Sequence, residues 1–355
     1  MVPIRISIFA IVTSVDAKRV GVMVAQRRGR RNGSDARHAC DSMTQPGEVQ
    51  WIGYLYMTVL QRLLFRIVLF ALIVLVVTIW QNLPKFPNSQ LPQLSHSGTA
   101  YIASNDSCLE QQQASGAVDN NGQIAVLVWN IHKQADGYWP EALWSTGKHW
   151  QLMLLQEAGQ TESFHSAITR AGFEYANLTA FRFQEVDYGV MTAAKAAAIR
   201  VCGSLSSEPF LRIPKGALSS YYRLSNGQTL LVINLHGINF DLSLSHWEGQ
   251  LSALFSQVGA HQGPVIFGGD FNSWGQERFE KLKQLTESFG LNSAAFVPDE
   301  RRHGLGMPLD WLFYRGLELK RAQSPATELS DHAPLLAEFT IPWSTSGGGI
   351  PGAHQ

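Results

Sequence analysis

The sequence predicts an α/β domain built on mixed β-sheet and preceded by one membrane-spanning helix. Apolar runs of strand length stop abruptly at polar residues, as at 265–270, which is typical of buried strands. Two stretches, 247–258 and 276–289, carry apolar residues at helical spacing and would cover a sheet. A run of 18 almost wholly apolar residues, Leu63–Trp80, is just long enough to cross a bilayer as a helix.

The composition is that of a globular protein with an uneven charge distribution. The chain has 355 residues, 45% hydrophobic and 16% charged, enough for one large domain or two small ones. Residues 1–66 hold 10 Lys and Arg against 4 Asp and Glu, which leaves 18 against 24 for the remainder. An acidic body argues against a broad basic face for nucleic acid, but not against a metal site, because metal ligands are themselves acidic.

The N-terminal region, residues 1–58, is basic and shows no sustained periodicity. It contains a short apolar piece, 4–15, and then a stretch rich in Arg, Gly and Ser. Two explanations stay open: a disordered cytoplasmic tail, or a segment that is not translated because synthesis begins at Met57.

The helix predicted over 59–80 has its positive charges on the N-terminal side. Arg62 and Arg66 lie there with five more arginines between 27 and 37, whereas only Lys85 follows closely. The positive-inside rule therefore places the N-terminus in the cytoplasm and the body across the inner membrane, as a single-pass protein. The alternatives are a buried core helix with a cytoplasmic body, and a cleaved signal peptide, although no small-x-small cleavage site follows.

Two further segments are predicted to lack regular structure. Residues 81–122 are rich in Pro, Ser, Asn and Gln and should form a disordered linker. Residues 343–355 include three consecutive glycines and should form a flexible tail.

The three cysteines, Cys40, Cys108 and Cys202, show no C-x-x-C spacing, so neither a zinc knuckle nor a redox pair is indicated. Cys108 and Cys202 either form a disulfide, if the body lies outside the cytoplasm, or remain separate thiols.

Strand and helix candidates alternate through the body, residues 123–342. The predicted strands are 124–129, 152–155, 188–192, 218–223, 229–234 and 265–270, and the predicted helices are 161–171, 247–258 and 276–289. The segments 309–314 and 329–339 close the body. Because strands both alternate with helices and follow one another directly, the sheet should be mixed rather than purely parallel.

Polar residues able to bind a metal or a phosphate occur where these strands end. They are Asn130, Glu157, His236, Asp270, Asn272, Asp310, Asp331 and His332. Singly, each has an ordinary structural explanation as a turn former, a cap or a core histidine. Together, four carboxylates, two amides and two imidazoles are what an oxygen-liganded divalent metal beside a phosphate requires.

Six motifs in order resemble those of the endonuclease/exonuclease/phosphatase superfamily, DNase I-like in fold, and in particular its YafD-like bacterial branch. They are WNIHK at 129–133, LLQEAG at 154–159, NLH at 234–236, GGDFNSW at 268–274, LDWLF at 309–313 and SDHAPL at 330–335. The resemblance covers residues 123–342 and implies a four-layered α/β sandwich, with two mixed sheets face to face between helices.

The resemblance also implies Mg²⁺ or Mn²⁺ as cofactor and assigns its ligands. Glu157 would be the principal metal ligand, with Asn130 and Asp331 close to the metal or to its water molecules.

The remaining motif residues acquire catalytic roles from the same resemblance. Asp270 would orient or deprotonate the attacking water, and Asn272 would donate a hydrogen bond to the phosphoryl oxygens. His332, held by Asp310, would contact the scissile phosphate, and His236 would lie on the leaving-group side.

The expected function is therefore metal-dependent hydrolysis of phosphodiester or phosphomonoester bonds, most similar to that of a nuclease. The substrate class stays open between nucleic acid, nucleotide, inositol phosphate and phospholipid. A membrane-tethered module of the same fold that binds phosphate without cleaving it is the alternative from another functional class. The protein is expected to be a monomer, held at the membrane through residues 59–80.

Overall fold

A computed structural model describes residues 59–86, 93–97, 101–105, 107–111, 116–135, 143 and 150–342. The basic region 1–58 and the tail 343–355 lie outside the described residues. The chain divides into two units, Met1–Phe70 and Ala71–Gln355.

Helix α1, Val59–Gln81, matches the predicted apolar helix. Its segment Gln61–Gln81 has 21 residues with a mean hydropathy of 2.8, and none of it is buried within the protein. It is the one helix in the described part of the chain with the length and composition needed to cross a membrane.

Two β-sheets form the body. The first contains, in spatial order, β1 (Leu94–His96), β6 (Glu174–Phe183), β7 (Val186–Ala194), β5 (Leu152–Gly159), β4 (Gln123–Asn130), β17 (Leu335–Thr340) and β16 (Glu318–Gln323). The second contains β12 (Asn292–Ser293), β15 (Asp310–Arg315), β11 (Val265–Asp270), β10 (Thr229–His236), β9 (Pro214–Arg223), β8 (Arg200–Ser207), β3 (Cys108–Gln111) and β2 (Tyr101–Asn105). A short hairpin joins β13 (His303–Gly304) to β14 (Met307–Pro308).

The sheets are mixed, as predicted. The pairs β4–β5 and β10–β11 are parallel, and the other described strand pairs are antiparallel. In each parallel pair the C-terminal ends of the two strands lie side by side at the same end of the sheet. The polar residues that follow these strands are therefore brought close together.

Three apolar clusters stack the molecule into four layers. The central cluster fills the space between the sheets, with Val128 and Leu154 from the first sheet and Val232 and Ile266 from the second. A second cluster packs helix α2, Glu162–Arg170, onto the outer face of the first sheet. A third packs helices α3 (Ser245–Ala260) and α4 (Gln276–Ser288) onto the second sheet. The predicted four-layered sandwich is confirmed.

The prediction of a disordered linker over 81–122 is wrong for the described parts of that segment. The segment supplies β1, which pairs with β6, and β2 and β3, which extend the second sheet beyond β8. Lys85 also forms a bridge with Arg182. The physical reason is that sheet edges offer unpaired N–H and C=O groups, which order a polar segment whose side chains alone would not.

Cys108 and Cys202 are opposite each other on β3 and β8 and form a disulfide. This arrangement corresponds to the first of the two alternatives left open by the sequence. The bond joins the segment that follows α1 to the second sheet.

Candidate active site

Three neighbouring strands of the second sheet place ionisable residues in one row. His236 at the end of β10 is in register with Asp270 at the end of β11, which is in register with Asp310 at the start of β15. Residues in register on adjacent strands project from the same face of a sheet. The row therefore presents one imidazole and two carboxylates side by side.

Two glycines before Asp270 allow this strand end to pack closely. A Cβ on Gly268 would lie 2.9 Å from Cγ2 of Val128, across the gap between the sheets. Gly269 has φ +145°, and a Cβ there would lie 1.9 Å from the carbonyl oxygen of Leu235. Only glycine fits at position 269 without movement of the neighbouring backbone.

The first sheet contributes its residues from the ends of β4 and β5. Asn130 is in register with Gln156, and Glu157 follows within a register shift between Leu155 and Ala158. Glu157 has φ +53°, a left-handed conformation that is unusual for glutamate. The bulge redirects its side chain, and such strain concentrates at functional sites.

Buried amide side chains tie the two sheets together beneath these strand ends. Nε2 of Gln156 donates to Oδ1 of Asn234 at 2.7 Å, and Nδ2 of Asn234 donates to the carbonyl oxygen of Met191 at 2.8 Å. Nδ2 of Asn130 donates to Oδ2 of Asp270 at 3.2 Å. These bonds fix the first sheet's residues against those of the second.

Asp270 is buried and accepts hydrogen bonds at both carboxylate oxygens. The backbone N–H of Asn272 donates to Oδ1 at 2.9 Å, and Nδ2 of Asn272 lies 3.3 Å from Oδ2. The same amide donates to the carbonyl oxygen of Gly237 at 3.0 Å. Burial raises the pKa of Asp270, and the charge of Asp310 adds to this effect, while His332 opposes it. The carboxylate is thus held as an acceptor with enhanced basicity.

His332 is paired with Asp310. Its Nδ1 donates to Oδ2 of Asp310 at 2.8 Å, and its Nε2 lies 4.0 Å from Oδ2 of Asp270. Burial alone would lower the pKa of His332, but the charge and hydrogen bond of Asp310, with Asp270 and Asp331, raise it to about 9. The imidazole is therefore cationic near neutral pH.

His236 is in the opposite state. Nζ of Lys215 lies 2.7 Å from Nε2 of His236. This Nε2 atom also lies 3.8 Å from a carboxylate oxygen of Glu157 and 3.7 Å from one of Asp270. Burial and the ammonium of Lys215 lower the pKa of His236 to about 4, against the two carboxylates. The imidazole is neutral near pH 7, and its Nε2 accepts a hydrogen bond from the ammonium of Lys215.

Glu157 is ionised. Its Oε2 accepts a hydrogen bond from the Lys133 ammonium. Burial raises the pKa of Glu157, but His236 and the lysine cations Lys133 and Lys215 outweigh burial and lower it to about 2. At neutral pH, where His236 has lost its proton, Lys133 and Lys215 are the cations that remain beside this carboxylate.

A pocket of about 800 Å³ opens over these groups. Six of the eight residues predicted from the sequence line it, namely Glu157, His236, Asp270, Asn272, Asp331 and His332. The other two, Asn130 and Asp310, support the lining residues through hydrogen bonds to Asp270 and His332.

Asp331 and Arg302 form an ion pair at the pocket wall. Arg301, which precedes Arg302 in the chain, lies between the rings of Phe296 and Trp311. Its guanidinium carbon is 4.9 Å and 4.8 Å from their centres. The two arginines therefore differ: Arg301 is a structural residue, and Arg302 faces the pocket.

Sequence reasoning missed the two lysines of the site, Lys133 and Lys215, and the buried Arg278. The buried Arg278 guanidinium donates to the carbonyl oxygens of Ile238, Asn239, Asp241 and Asn272, which fixes the loop after β10 beside Asn272. The one sequence signal for Lys133 is its place in the run that follows Asn130 at the end of β4. Neither Lys215 nor Arg278 lies next to a motif.

The residues around the pocket fit a hard divalent cation. Glu157 and Asp270 both lie within 4 Å of Nε2 of His236, and Asp331 lines the same pocket, so oxygen donors predominate. The side chains of Asp270, Asp310 and His332 also offer ligand atoms within 4.8 Å of one another. Asn130 has its Oδ1 occupied by the N–H of His132 and its Nδ2 by Asp270, so its role as a ligand stays a prediction.

Comparison with known proteins agrees with this geometry. The sequence model of the endonuclease/exonuclease/phosphatase family matches residues 127–332, which include both sheets' strand ends and the pocket. The chain belongs to this family. A UPF0294 protein of Vibrio parahaemolyticus is 41% identical over 251 residues, which are 70% of this chain and 89% of that protein. One from Erwinia tasmaniensis is 39% identical over 227 residues, 64% of this chain and 85% of that protein. These relatives support the bacterial branch of the family that the motifs indicated.

Solved structures with a similar fold include two at low sequence identity. The human Nocturnin catalytic domain with bound sulfate is 17% identical, with a TM-score of 0.49, over 63% of this chain and 96% of that chain. An endonuclease/exonuclease/phosphatase from Beutenbergia cavernae is 13% identical, with a TM-score of 0.49, over 62% of this chain and 72% of that chain.

Proposed function

We propose that this protein is a metal-dependent phosphoesterase that hydrolyses phosphodiester or phosphomonoester bonds. The observation that carries the proposal is the convergence of Glu157, His236, Asp270, Asn272 and His332 on one pocket, with complementary charge states. A phosphoester is anionic, so hydrolysis needs fixed positive groups around the phosphate and a base for water. The pocket supplies both.

Asp270 is the group suited to activate water. It is buried, its carboxylate is oriented by Asn130 and Asn272, and its raised pKa makes it a stronger base than an exposed aspartate. The amide of Asn272, once released from its contact with Asp270, can donate to a phosphoryl oxygen.

His332 is suited to bind the phosphate. It remains cationic because Asp310 holds its Nδ1, which leaves Nε2–H directed towards Asp270 and the pocket. On the side of His236, the ammonium of Lys215 supplies a second positive charge and a proton source for the leaving oxygen.

Mg²⁺ or Mn²⁺ would be held by Glu157, with Asp331 and Asn130 nearby. When bound, the ion would offset negative charge on the phosphate and lower the pKa of coordinated water.

The proposal includes a single-pass membrane anchor formed by α1, with the body on the extracytoplasmic side. The length and apolar character of α1, the arginines before it and the disulfide between Cys108 and Cys202 support this placement.

The test is a panel of phosphoesters offered to the full chain in detergent, with Mg²⁺, Mn²⁺ or EDTA. The panel contains bis(p-nitrophenyl) phosphate, single- and double-stranded DNA, RNA, nucleotides, inositol phosphates and phospholipid vesicles. We expect hydrolysis that EDTA abolishes. No EDTA-sensitive hydrolysis of any compound would refute the proposal and favour a module that binds phosphate without cleaving it.

Single substitutions test the assigned residues on whichever compound is cleaved. We expect Glu157→Ala, Asp270→Ala and His332→Ala each to lower kcat by about 10²- to 10³-fold with the circular dichroism spectrum unchanged. Glu318→Ala is the matched control, because it removes an exposed carboxylate from β16, outside the pocket. Turnover near that of the wild type in any of the three variants would break the assignment.

A further inference from the structure

The mouth of the pocket carries exposed apolar side chains on three separate loops. Phe210 and Leu211 lie between β8 and β9, Phe240 and Leu242 follow β10, and Leu305 lies at the tip of the β13–β14 hairpin. Their exposed fractions run from 52% for Leu211 to 80% for Leu242 and Leu305. We call these five residues the apolar rim. Exposed apolar groups gathered around one opening indicate a binding surface.

The backbone under the rim is built to hold these side chains outward. The buried Glu208 accepts from the N–H of Asn239 at 3.0 Å and so ties the first loop to the second. The buried Asp241 accepts from the backbone N–H groups of His246 and Trp247 and so fixes the second loop to the start of α3. The backbone of these loops is therefore fixed by hydrogen bonds, while the apolar side chains at their tips stay exposed to solvent.

Leu305 is the clearest case. It has φ +48° at the tip of a two-residue hairpin and is followed by Gly306 at φ +84°. Such a turn favours Asn or Gly at both central positions. A leucine there is strained and 80% exposed, so it adds nothing to folding. An apolar side chain held outward at such a position suits contact with an apolar surface outside the protein.

The route of the chain indicates which surface that is. Only residues 82–84 separate the end of α1 from Lys85, whose backbone exchanges two hydrogen bonds of 2.8 Å with Arg182. Three intervening residues span at most about 14 Å. If α1 crosses the membrane, the body is held directly at the bilayer surface.

The segment after α1 meets the first sheet near the end of the strands where Glu157 lies. Arg182 pairs with Asp187, and the neighbouring Tyr188 pairs with Gly159, two residues beyond Glu157 on β5. The segment that leaves α1 therefore enters the first sheet at the end where Glu157 lies.

We infer that the apolar rim docks on the lipid bilayer and that the pocket takes its phosphoester from phospholipid headgroups. This inference rests on the proposed function. Three of the five rim side chains are aliphatic, which suits acyl chains better than base stacking. The cations Arg212 and Lys215 beside the rim suit anionic headgroups. In the reaction, the oxygen of water bonds to phosphorus and its proton passes to Asp270, while the bond from phosphorus to the ester oxygen breaks and that oxygen takes up a proton from Lys215.

Docking is tested by spin labels on the full chain in liposomes of phosphatidylethanolamine and phosphatidylglycerol. Leu242→Cys and Leu305→Cys are labelled separately in a Cys40→Ser background. The control is Asn226→Cys, an exposed position in the β9–β10 turn, at the opposite end of β10 from His236. We expect the two rim labels to collide more with oxygen and at least fivefold less with a water-soluble nickel chelate than the control does. Rim labels as open to the chelate as the control would overturn docking.

The substrate class is tested by comparing vesicles with a soluble diester. We expect the wild type to release phosphorylated or free headgroups from vesicles. The double variant Leu242→Asp/Leu305→Asp should release them at a rate at least tenfold lower. Vesicle hydrolysis unchanged by the double variant would overturn the inference. Cleavage of bis(p-nitrophenyl) phosphate or DNA with no cleavage of vesicles would also overturn it while leaving the proposed function intact. Absence of EDTA-sensitive hydrolysis of every compound in the panel would refute the proposed function itself, and the inference about the substrate would fall with it.

Discussion

At the scale of single residues, the two pocket histidines show how neighbours decide charge. Both are buried, which by itself lowers the pKa of an imidazole. Asp310 reverses this effect at His332, whereas Lys215 reinforces it at His236. Two histidines of the same pocket therefore differ in charge: His332 is a cation and His236 is neutral.

The charge of His332 leads to a pH prediction. Its pKa is raised from 6.5 to about 9 in the folded protein, so the protonated form persists through neutral pH and is lost as the pH rises through about 9. The stabilisation from its pairing with Asp310 is likewise complete below pH 6.5 and disappears as the pH rises through about 9. We expect kcat for a soluble diester to fall above about pH 9.

The variant Asp310→Asn removes the main group that raises this pKa, so the alkaline limb should move towards neutral pH. The control Asp187→Asn alters an ion pair with Arg182 outside the pocket and should leave the limb in place. An unchanged limb in Asp310→Asn would show that His332 does not set it. Both pH profiles are measured by steady-state kinetics at saturating metal.

The sequence allows the anionic side of the pocket to be predicted, but not its lysines. Asp270 and Glu157 stand directly after apolar strands, where local pattern is informative. Lys215 is the second residue of β9 and reaches His236 at the end of the antiparallel β10, 21 residues further along the chain. Such a contact depends on strand register, which no short motif encodes.

At the scale of elements, the β10–β11 pair depends on Gly269. A methyl group there would overlap the carbonyl oxygen of Leu235, and φ +145° is unfavourable for alanine. Gly269→Ala must therefore separate β11 from β10, which displaces Asp270. We expect a loss of more than about 2 kcal/mol in the free energy of unfolding, together with loss of turnover, measured by urea denaturation and kinetics.

Gly249→Ala is the matched control. Gly249 lies within α3, and a Cβ there meets no atom within 4 Å. Alanine should stabilise the helix by about 0.5–1 kcal/mol, so the two substitutions should have opposite signs. Equal changes in the free energy of unfolding for Gly269→Ala and Gly249→Ala would show that the backbone accommodates a methyl group at position 269 without destabilisation.

Elements also show where prediction from composition fails. The alternating body was predicted because buried strands and amphipathic helices have their own periodicities. The strands at 94–96, 101–105 and 108–111 lie in a segment whose composition, rich in Pro, Ser, Asn and Gln, predicts a linker. They form because β6 and β8 offer unpaired edges, so their structure depends on pairing with the sheet, which local composition does not show.

At the scale of the whole molecule, the disulfide joins elements 94 residues apart. It connects β3, in the segment after α1, to β8 in the second sheet, and so closes a long loop in the unfolded chain. A closed loop of this length stabilises the folded state by about 4.7 kcal/mol through the lost entropy of the unfolded chain. We expect Cys108→Ser/Cys202→Ser to lower the free energy of unfolding by about this amount, measured by urea denaturation of the full chain in detergent, with Cys40→Ser as the control.

The same bond tests the side of the membrane on which the body lies. Disulfides form and persist in oxidising compartments, whereas cytoplasmic thiols are kept reduced. Because β3 and β8 place the two sulfur atoms together, the compartment alone decides whether they are joined. Protein taken from native membranes, with free thiols blocked before lysis, should yield a Cys108–Cys202 peptide in non-reducing mass mapping. Blocked thiols at both positions would place the body in the cytoplasm and remove the extracytoplasmic part of the proposal, while the pocket chemistry would stand unchanged.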